Sequence, residues 1–339
     1  MYSSVPIARA LLIDDAQAGC FHVISRCVRR AFLCGDEAEH RREWVRELIK
    51  LAAGSFSMDV LAYAVMANHL HLVVRTDPTR VILWTPAEIA ERWAAAHPRL
   101  GPDGEAIPWP VEEIIKKSRD AEWIAKTRDR LRSLSWFMKC VKERLARRAN
   151  RADHCTGHFW EGRFRSVPLL DQTAVLAAMA YVDLNPVRAA ITETPEDSDY
   201  TSVQDRCRAR QSHRAAVLVP SLAGTATHDE AGLWFAGIDR ATIDGPAIIS
   251  VDEYLELVDA TGRIVRSGKR GSIPAHLVPI LERLDLDLNA WMKLMASGGH
   301  FAHGSFGKLA SRAAEAIRRG VRWLIDQTAG LYRPEPDTA

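Results

Sequence analysis

Apolar and polar residues alternate with a period of two along three short segments in the first part of the chain. This period, with many β-branched residues, predicts three β-strands at 19–28, 57–66 and 69–76. Between the first two, segment 39–54 carries apolar residues at helical spacing and ends in a glycine, which predicts a helix. The second and third strands are separated only by Ala67-Asn68, so they are predicted to pair as a hairpin.

A second group of helices and strands is predicted further along the chain. Segment 133–150 has the spacing of a long basic helix, segment 157–170 has the pattern of an irregular strand, and segment 172–186 is a helix ended by a proline. The resulting order is strand, helix, strand, strand, helix, strand. This order predicts the α+β class, as a ferredoxin-like split βαβ arrangement with its helices on one face of an antiparallel sheet.

Three regions of different pattern divide the chain of 339 residues. Residues 1–195 hold the predicted sheet, interrupted at about 77–130 by a proline-rich segment of amphipathic pieces that predicts a helical insertion. Residues 196–250 are poorly patterned and are interpreted as an irregular linker. Residues 251–339 have mostly helical spacing and are predicted to form a C-terminal helical domain.

Segment 297–308, within the last region, combines glycines with the histidines His300 and His303. The glycine and lysine positions do not match the spacing of a phosphate-binding Walker loop. The two histidines are therefore interpreted as loop residues rather than as ligands.

Composition narrows the class of protein without identifying it. The chain is 47% hydrophobic and 26% charged, which is ordinary for a soluble globular protein. No apolar run approaches the roughly 20 residues of a membrane span, and the first residues lack the pattern of a signal peptide. The six cysteines include no CxxC pair, which disfavours a zinc ribbon or a disulfide scaffold. We therefore expect a cytoplasmic protein with reduced thiols and no membrane partner.

The net charge of +2 conceals a strongly basic stretch. Between Leu131 and Ser166, nine lysine or arginine residues stand against three acidic ones. A concentrated basic stripe is typical of a protein that binds a polyanion such as a nucleic acid. A solvated helix face is the alternative interpretation of this charge run.

Two histidines, His69 and His71, lie two positions apart on the third predicted strand, so their side chains point to one face of the sheet. Burial of two imidazoles in an otherwise apolar strand is unfavourable unless something pairs with them. One explanation is a divalent cation held by both rings, and imidazole suits manganese or zinc while magnesium prefers oxygen. The other explanation is a pair of satisfied core histidines.

Segment 155–166, CTGHFWEGRFRS, places an aromatic pair beside arginines. Trp160 can stack on a base, and Arg163 and Arg165 alternate, so both can meet phosphates from one side. This combination suits binding of single-stranded nucleic acid. The alternative is an edge strand with a buried Trp160 and two surface arginines.

Four motifs occur in a fixed order along the chain, namely MANHLHLVV at 66–74, MKCVKERLARRAN at 138–150, GHFWEGR at 157–163 and YVDLNPVRA at 181–189. Together they resemble the HUH single-tyrosine transposases, in particular the branch that includes the REP-associated tyrosine transposases. The resemblance covers about residues 18–205. The insertion and the C-terminal region lie outside the minimal form of that family.

The resemblance implies a protein that binds single-stranded or hairpin DNA and that cleaves and rejoins strands in DNA transposition. A divalent cation, Mg²⁺ or Mn²⁺, would be held by His69 and His71 and would polarise the scissile phosphate. A tyrosine on a helix would attack the phosphorus, which leaves a 5′-phosphotyrosine and a free 3′-hydroxyl. A homodimer is common in such folds. The DNA would be bound by Arg144, Arg147, Arg148, Trp160, Arg163, Arg165 and Arg188.

The nucleophile is not found where the resemblance implies it. Counted along the basic helix to Asn150, the tyrosine of the family falls on Leu145. No tyrosine lies between Tyr63 and Tyr181. Tyr181 is the catalytic candidate, with a purely structural role as its alternative, and Tyr63 is a weaker candidate.

The third metal ligand is open as well, with Asn150 and His22 as candidates. Whether the chain is an enzyme is therefore left open at this point. The alternative to a transposase is a domesticated, catalytically inactive protein that binds DNA hairpins, which Leu145 favours. A third interpretation is a nuclease that hydrolyses single strands without a covalent adduct.

Overall fold

The computed structural model describes residues 12–102, 104–218, 233–242, 247–267, 281, 286–296, 304–324 and 331–332. Along these residues helices combine with an antiparallel sheet, which confirms the predicted α+β class. None of the described helices is long and apolar enough to cross a membrane.

The elements follow one another in this order along the described residues. The strands are β1 (Gly19–Arg26), β2 (Met58–Val65), β3 (His69–Thr76), β4 (Arg99–Leu100), β5 (Ala106–Ile107) and β6 (Arg165–Leu169). The helices before β6 are α1 (His40–Ser55), α2 (Pro78–Ile82), α3 (Pro86–Ala96), α4 (Val111–Ser118), α5 (Ala121–Leu131) and α6 (Leu134–Ala152). The helices after β6 are α7 (Gln172–Asp183), α8 (Asn185–Arg188), α9 (Ser202–Leu218), α10 (Val251–Ser267), α11 (Leu288–Ala296) and α12 (Leu309–Arg318).

Four strands form the central sheet in the order β2-β3-β1-β6, and every neighbouring pair is antiparallel. β3 lies between β1 and β2, so the connection through α1 passes over it. The predicted hairpin of β2 and β3 is present and pairs Val65 with Leu70. The last strand is shorter than predicted, because Arg165–Leu169 pairs with β1 while Trp160 forms an isolated bridge with Cys27.

One face of the sheet packs against α1 and α6. Val23, Leu70 and Leu72 point from the strands into this core and are almost completely buried. Ile49 from α1 and Leu145 from α6 meet them there. Both helices are amphipathic, so their apolar stripes cover the sheet while their charged residues face outward.

The other face of the sheet is covered as well, by helices that follow β6 in the chain. There α7 packs against β2 and β3, and its Ala177 and Ala178 join Val73 of the sheet in a second core. Every residue from Thr173 to Asp183 is buried, because α10 and α11 contribute side chains to the same core from outside. The sheet is thus enclosed between two helical layers.

A β-bulge in β2 decides which side chains meet α7. The pairing with β3 shifts between Val60 and Ala62, so the additional residue Leu61 reverses the alternation of the strand. Beyond the bulge, Ala62 and Ala64 belong to the core under α7. Because the helix also presents alanines, small side chains meet on both surfaces and allow a close approach.

The segment between β3 and α6 carries four helices and a hairpin formed by β4 and β5. α3 packs on α1, and α4 and α5 pack on α3. The insertion expected at about 77–130 therefore enlarges the helical layer that also holds α1 and α6.

The C-terminal part of the chain differs from its sequence pattern in one respect. Segment 196–250, expected as an irregular linker, contains the long helix α9. The buried Arg206 of α9 donates to the carbonyl of Leu61 at 2.9 Å, so this helix is tied to β2. The region expected to be helical holds α10, α11 and α12, whereas His300 and His303 lie outside the described residues.

Candidate catalytic site at one end of the sheet

The two histidines of the HLH motif lie on the sheet face that α7 covers. Strand pairing places Arg26 opposite His69 and Ile24 opposite His71, and Arg165 pairs with Ile24 from the other side. Residues that lie directly opposite on antiparallel strands point to the same face. One end of the sheet therefore collects two imidazoles and two guanidinium groups on a single surface.

His69 is half-buried at the start of β3. Its Nδ1 lies 2.6 Å from Oδ1 of Asn68, whose amide nitrogen donates to the carbonyl of Arg30 at 3.1 Å. Because Oδ1 can only accept, Nδ1 carries the ring proton and Nε2 keeps its lone pair. Burial, helped by the charges of Arg26 and Arg188, lowers the pKa of His69 to about 4, so the ring is neutral at neutral pH.

His71 is buried against His22 of β1. Its Nδ1 lies 2.8 Å from Nε2 of His22, and the two rings stack with centroids 5.0 Å apart. Burial, followed by the charges of His22, His69 and nearby arginines, holds the pKa of His71 well below its usual value. A neutral His71 that donates from Nδ1 to His22 keeps the lone pair of its Nε2.

These two imidazoles fit the needs of a divalent cation. Histidines that bind metals use one ring nitrogen as the ligand and anchor the other through a hydrogen bond. Asn68 anchors Nδ1 of His69 and His22 anchors Nδ1 of His71, which leaves the lone pairs of the two Nε2 atoms available to a cation. The ring centroids of His69 and His71 are 4.8 Å apart, a separation at which both rings can reach one ion.

Neither expected third ligand completes this set. His22 uses Nε2 in its hydrogen bond with His71, so it supports a ligand instead of acting as one. Asn150 belongs to α6 in the other helical layer, where its amide donates to the carbonyl of Gly157 at 3.0 Å. Within the described part of the chain, no three histidine, cysteine, aspartate or glutamate side chains form a metal-binding group. The remaining coordination positions would fall to substrate oxygens and water.

Tyr181 is the tyrosine that the fold brings to the histidines. Its ring centroid in α7 lies 6.2 Å from that of His71 and 5.9 Å from that of His22. The guanidinium carbon of Arg188 in α8 lies 4.0 Å from the centroid of the tyrosine ring, and Arg188 donates to the hydroxyl at 3.2 Å. A cation at a phenolic oxygen stabilises negative charge on that oxygen or on a phosphate beside it.

Position 145 does not belong to this site. Leu145 is fully buried in the core beneath α1, on the sheet face opposite to the histidines. Tyr63 points to that same core, where its hydroxyl donates to Asp205 at 2.5 Å and burial raises its pKa. The expectation that the nucleophile belongs at position 145 therefore does not fit the geometry, because the sheet separates this position from the histidines.

A tyrosine placed at position 145 is expected to restore no chemistry. The double variant Leu145→Tyr with Tyr181→Phe should form no covalent protein–DNA adduct on a denaturing gel, since the new side chain lies on the wrong face. The larger ring should also lower the free energy of unfolding, measured by urea titration, by about 1–3 kcal/mol, because it overfills a packed core. An adduct from this variant would assign the nucleophile to α6.

Two of the predicted DNA-binding arginines lie at the candidate site, and a third lies close to one of them in sequence. Arg188 contacts Tyr181, Arg165 extends from β6 on the face of His71, and Arg163 is exposed two residues earlier. Sequence reasoning missed Arg26, which faces His69 from β1. Its spacing of four residues from His22 along a strand was the available signal, because it puts both on one face.

The other predicted DNA-binding residues lie elsewhere. Arg144, Arg147 and Arg148 are on α6, in the helical layer behind the sheet. Trp160 is buried and its indole nitrogen donates to the carbonyl of Lys142 at 2.9 Å. This contact favours the structural interpretation of Trp160 over base stacking.

A solved structure is similar to this chain. No family model matches the chain, and no curated protein matches it. The chain is similar to a structure described as the REP-associated tyrosine transposase bound to a REP hairpin, with 13% sequence identity and a TM-score of 0.34. The similarity covers 62% of this chain and 88% of that chain. Likeness at this level does not show the family to which the chain belongs.

Proposed function

We propose that this protein is a transposase of the HUH single-tyrosine type that cleaves and rejoins single-stranded or hairpin DNA. The observation that carries the proposal is the meeting of Tyr181, Arg188 and the two histidines on one face of the sheet. A phenol, a guanidinium and two metal-competent imidazoles are groups suited to phosphoryl transfer through a tyrosine. The motif YVDLNPVRA supplies both Tyr181 and Arg188, which supports the same function.

The strand order supports the ferredoxin-like assignment that goes with this function. β3 lies between β1 and β2, and β6 pairs with the other edge of β1. With the insertion set aside, the major elements through β6 follow the order strand, helix, strand, strand, helix, strand. This connectivity supports a split βαβ fold.

Tyr181 acts as the nucleophile in the proposed reaction. His69 and His71 would hold a Mg²⁺ or Mn²⁺ ion, which supplies Lewis-acid polarisation of the scissile phosphate. The Tyr181 oxygen forms a bond to phosphorus while the bond from phosphorus to the 3′ oxygen breaks. The phenolic proton passes to solvent, and the departing 3′ oxygen takes up a proton to become a hydroxyl. Attack by a different 3′-hydroxyl then reverses the step and joins a new strand.

The arginines stabilise negative charge in the proposed reaction. Arg188 donates to the hydroxyl of Tyr181 at 3.2 Å, so it stabilises the oxygen as it loses its proton. Arg163 and Arg165 are exposed near the same end of the sheet and bind the flanking phosphates. Neither role requires these side chains to transfer a proton.

The test is a cleavage assay with a labelled DNA hairpin that carries single-stranded flanks. The protein is incubated with Mn²⁺ or Mg²⁺, and the products are separated on a denaturing gel. The expected result is a covalent protein–DNA band whose tryptic peptide contains Tyr181. Cleavage without an adduct would replace the proposal with a nuclease. Tight binding without cleavage would replace it with a catalytically inactive hairpin-binding protein.

Replacement of both histidines is expected to separate cleavage from binding. His69→Ala with His71→Ala should lower metal-stimulated cleavage by at least about 100-fold, because no imidazole ligand remains for the cation. Hairpin affinity, measured by mobility shift without metal, should be retained, since the arginines are unchanged. His40→Ala, an exposed histidine of α1, serves as the control. An equal loss of binding would show that the pair is structural.

A further inference from the structure

A groove of about 780 Å³ lies in the helical layer on the far side of the sheet from Tyr181. Its walls are α6, the part of α1 around Trp44, and the hairpin of β4 and β5. The volume lies within the range of about 300–1,000 Å³ that is usual for ligand sites. The hairpin belongs to the insertion at about 77–130, so this wall of the groove lies outside the four sequence motifs.

Basic side chains dominate the lining of the groove. Its charged residues are the cations Lys139, Arg144, Arg147, Arg148 and Arg151 and the carboxylates Glu105 and Glu143. Glu143 forms ion pairs with Arg147 and, at 3.9 Å, with Lys139. Positive charge therefore remains in excess, and a concave surface of this kind attracts a polyanion.

Two half-buried tryptophans lie among these cations. The guanidinium carbon of Arg148 lies 3.9 Å from the ring centroid of Trp44, and the ammonium of Lys139 lies 4.5 Å from that of Trp136. Indole rings and guanidinium planes together suit a single strand, whose bases stack on aromatic rings or on arginine planes while its phosphates meet the charges. A double helix keeps its base faces stacked inside, so it cannot use such rings in this way.

His97 adds an uncharged ring to the same groove. It stacks on Trp93 with centroids 3.8 Å apart and an interplanar angle of 17°. Burial, with the charges of Arg144 and Lys139 acting in the same direction, lowers the pKa of His97 to about 4. The ring is therefore neutral at neutral pH and presents a flat polar surface to a base.

We propose that this groove binds a segment of single-stranded DNA at a site separate from that of Tyr181. The inference rests on the proposed function for the class of ligand but not for the residues, because Tyr181, His69 and His71 do not line the groove. The strand held here is then a different segment from the strand that is cut. The insertion supplies the hairpin wall and so gives the protein a second binding face.

Binding is measured by fluorescence anisotropy with a labelled oligothymidine of about 12 nucleotides, a length that spans such grooves. The protein carries Tyr181→Phe, and no divalent cation is added, so cleavage does not contribute. Lys139→Ala with Arg147→Ala is expected to weaken binding about tenfold. It should also reduce the slope of log affinity against log salt by about 1.4, because each single-strand phosphate contact contributes about 0.7.

The matched control is Lys116→Ala with Arg119→Ala, which removes one lysine and one arginine from exposed positions outside the groove. This control should leave both the affinity and the salt slope unchanged. Equal weakening by the two double variants would mean that the DNA is attracted by overall charge alone, which would overturn the proposal.

Photo-crosslinking tests the location without altering the groove. Oligothymidine containing 5-iodouracil is irradiated with the Tyr181→Phe protein, and the crosslinked peptides are identified by mass spectrometry. Crosslinks at Trp44, Trp136 or His97 are expected. Crosslinks confined to peptides of β3 and α7 would overturn the second site while leaving the proposed function intact. Adduct formation by the native chain tests that function on its own.

Discussion

Tyr181→Phe is expected to abolish the covalent adduct and to lower strand cleavage by at least about 10³-fold, as loss of a catalytic nucleophile does. The substitution removes a single oxygen, the one to which Arg188 donates. The ring that packs beside His71 and His22 remains, so α7 keeps its position. Loss of one hydrogen bond should change the free energy of unfolding by about 1 kcal/mol. The Tyr181→Phe protein should therefore lose strand cleavage and adduct formation while it still folds and still binds DNA.

Tyr200→Phe is the matched control for this experiment. Tyr200 is half-buried, and its ring lies 5.0 Å from the guanidinium carbon of Arg42, away from the histidines. Its replacement should leave the yield of adduct unchanged. A full yield from Tyr181→Phe would exclude Tyr181 as the nucleophile. Cleavage that persists in Tyr181→Phe without an adduct would assign the attack to water.

Asp183→Ala is expected to lower the free energy of unfolding by about 3–5 kcal/mol, because it breaks a buried charged network. Asp183 is fully buried at the end of α7 and accepts from Ser202, from the backbone N–H of Val203 at 3.1 Å and from Tyr254 at 2.6 Å. Burial raises its pKa, while the charge of Arg206 and the three hydrogen bonds act to lower it. Removal of the carboxylate leaves these donors without their acceptor inside the protein.

The expected loss corresponds to a decrease of about 10 °C in the midpoint of thermal unfolding for a chain of this size. Asp129→Ala is the control, since Asp129 is exposed and pairs only with Arg132 of its own region at 2.7 Å among the contacts described. A surface pair of this kind contributes less than about 1 kcal/mol. Equal stability of the Asp183 and Asp129 variants would show that the network around Asp183 does not hold α7 to α9 and α10.

Most of what the sequence predicts about the site follows from the alternating pattern of the strands. A strand alternates its side chains locally, so spacing alone put His69 and His71 on one face. The neighbours of these histidines depend on pairing between distant strands. His22 and Arg26 therefore joined the site only when the register of β1 and β3 was known.

The sequence names Tyr181 as a candidate nucleophile, but it does not show that this residue meets the histidines. Counting along α6 to Leu145 assumed that this helix faces the histidines, but the face that a helix covers is set by the path of the chain over the sheet. α7 carries no amphipathic stripe because it is buried on all sides, so its sequence does not indicate which residue meets β3. The bulge beside Leu61 turns alanines of β2 toward this helix, and the strand pattern did not predict it.

The groove beside the insertion could not be predicted from the sequence either. The helical pieces of the insertion were predicted from amphipathic spacing, yet the groove beside Trp136 arises from contacts among α1, α6 and the hairpin of β4 and β5. Each wall comes from a different part of the sequence. The basic residues of α6 were identified from their charge, but the surface to which they belong required the tertiary structure.

The length of the two-residue connection Ala67-Asn68 limits which insertions and deletions the gene can tolerate. Successive strand residues face opposite ways, so a deletion here that moved β3 by one position would send both histidines of the HLH motif into the core beneath α1. The leucines of the motif would then face Tyr181. Loss or gain of a single codon that shifts the strand in this way would thus dismantle the proposed site with every one of its residues still encoded. Functional variants with insertions or deletions at this turn should therefore keep an even number of residues in the connection.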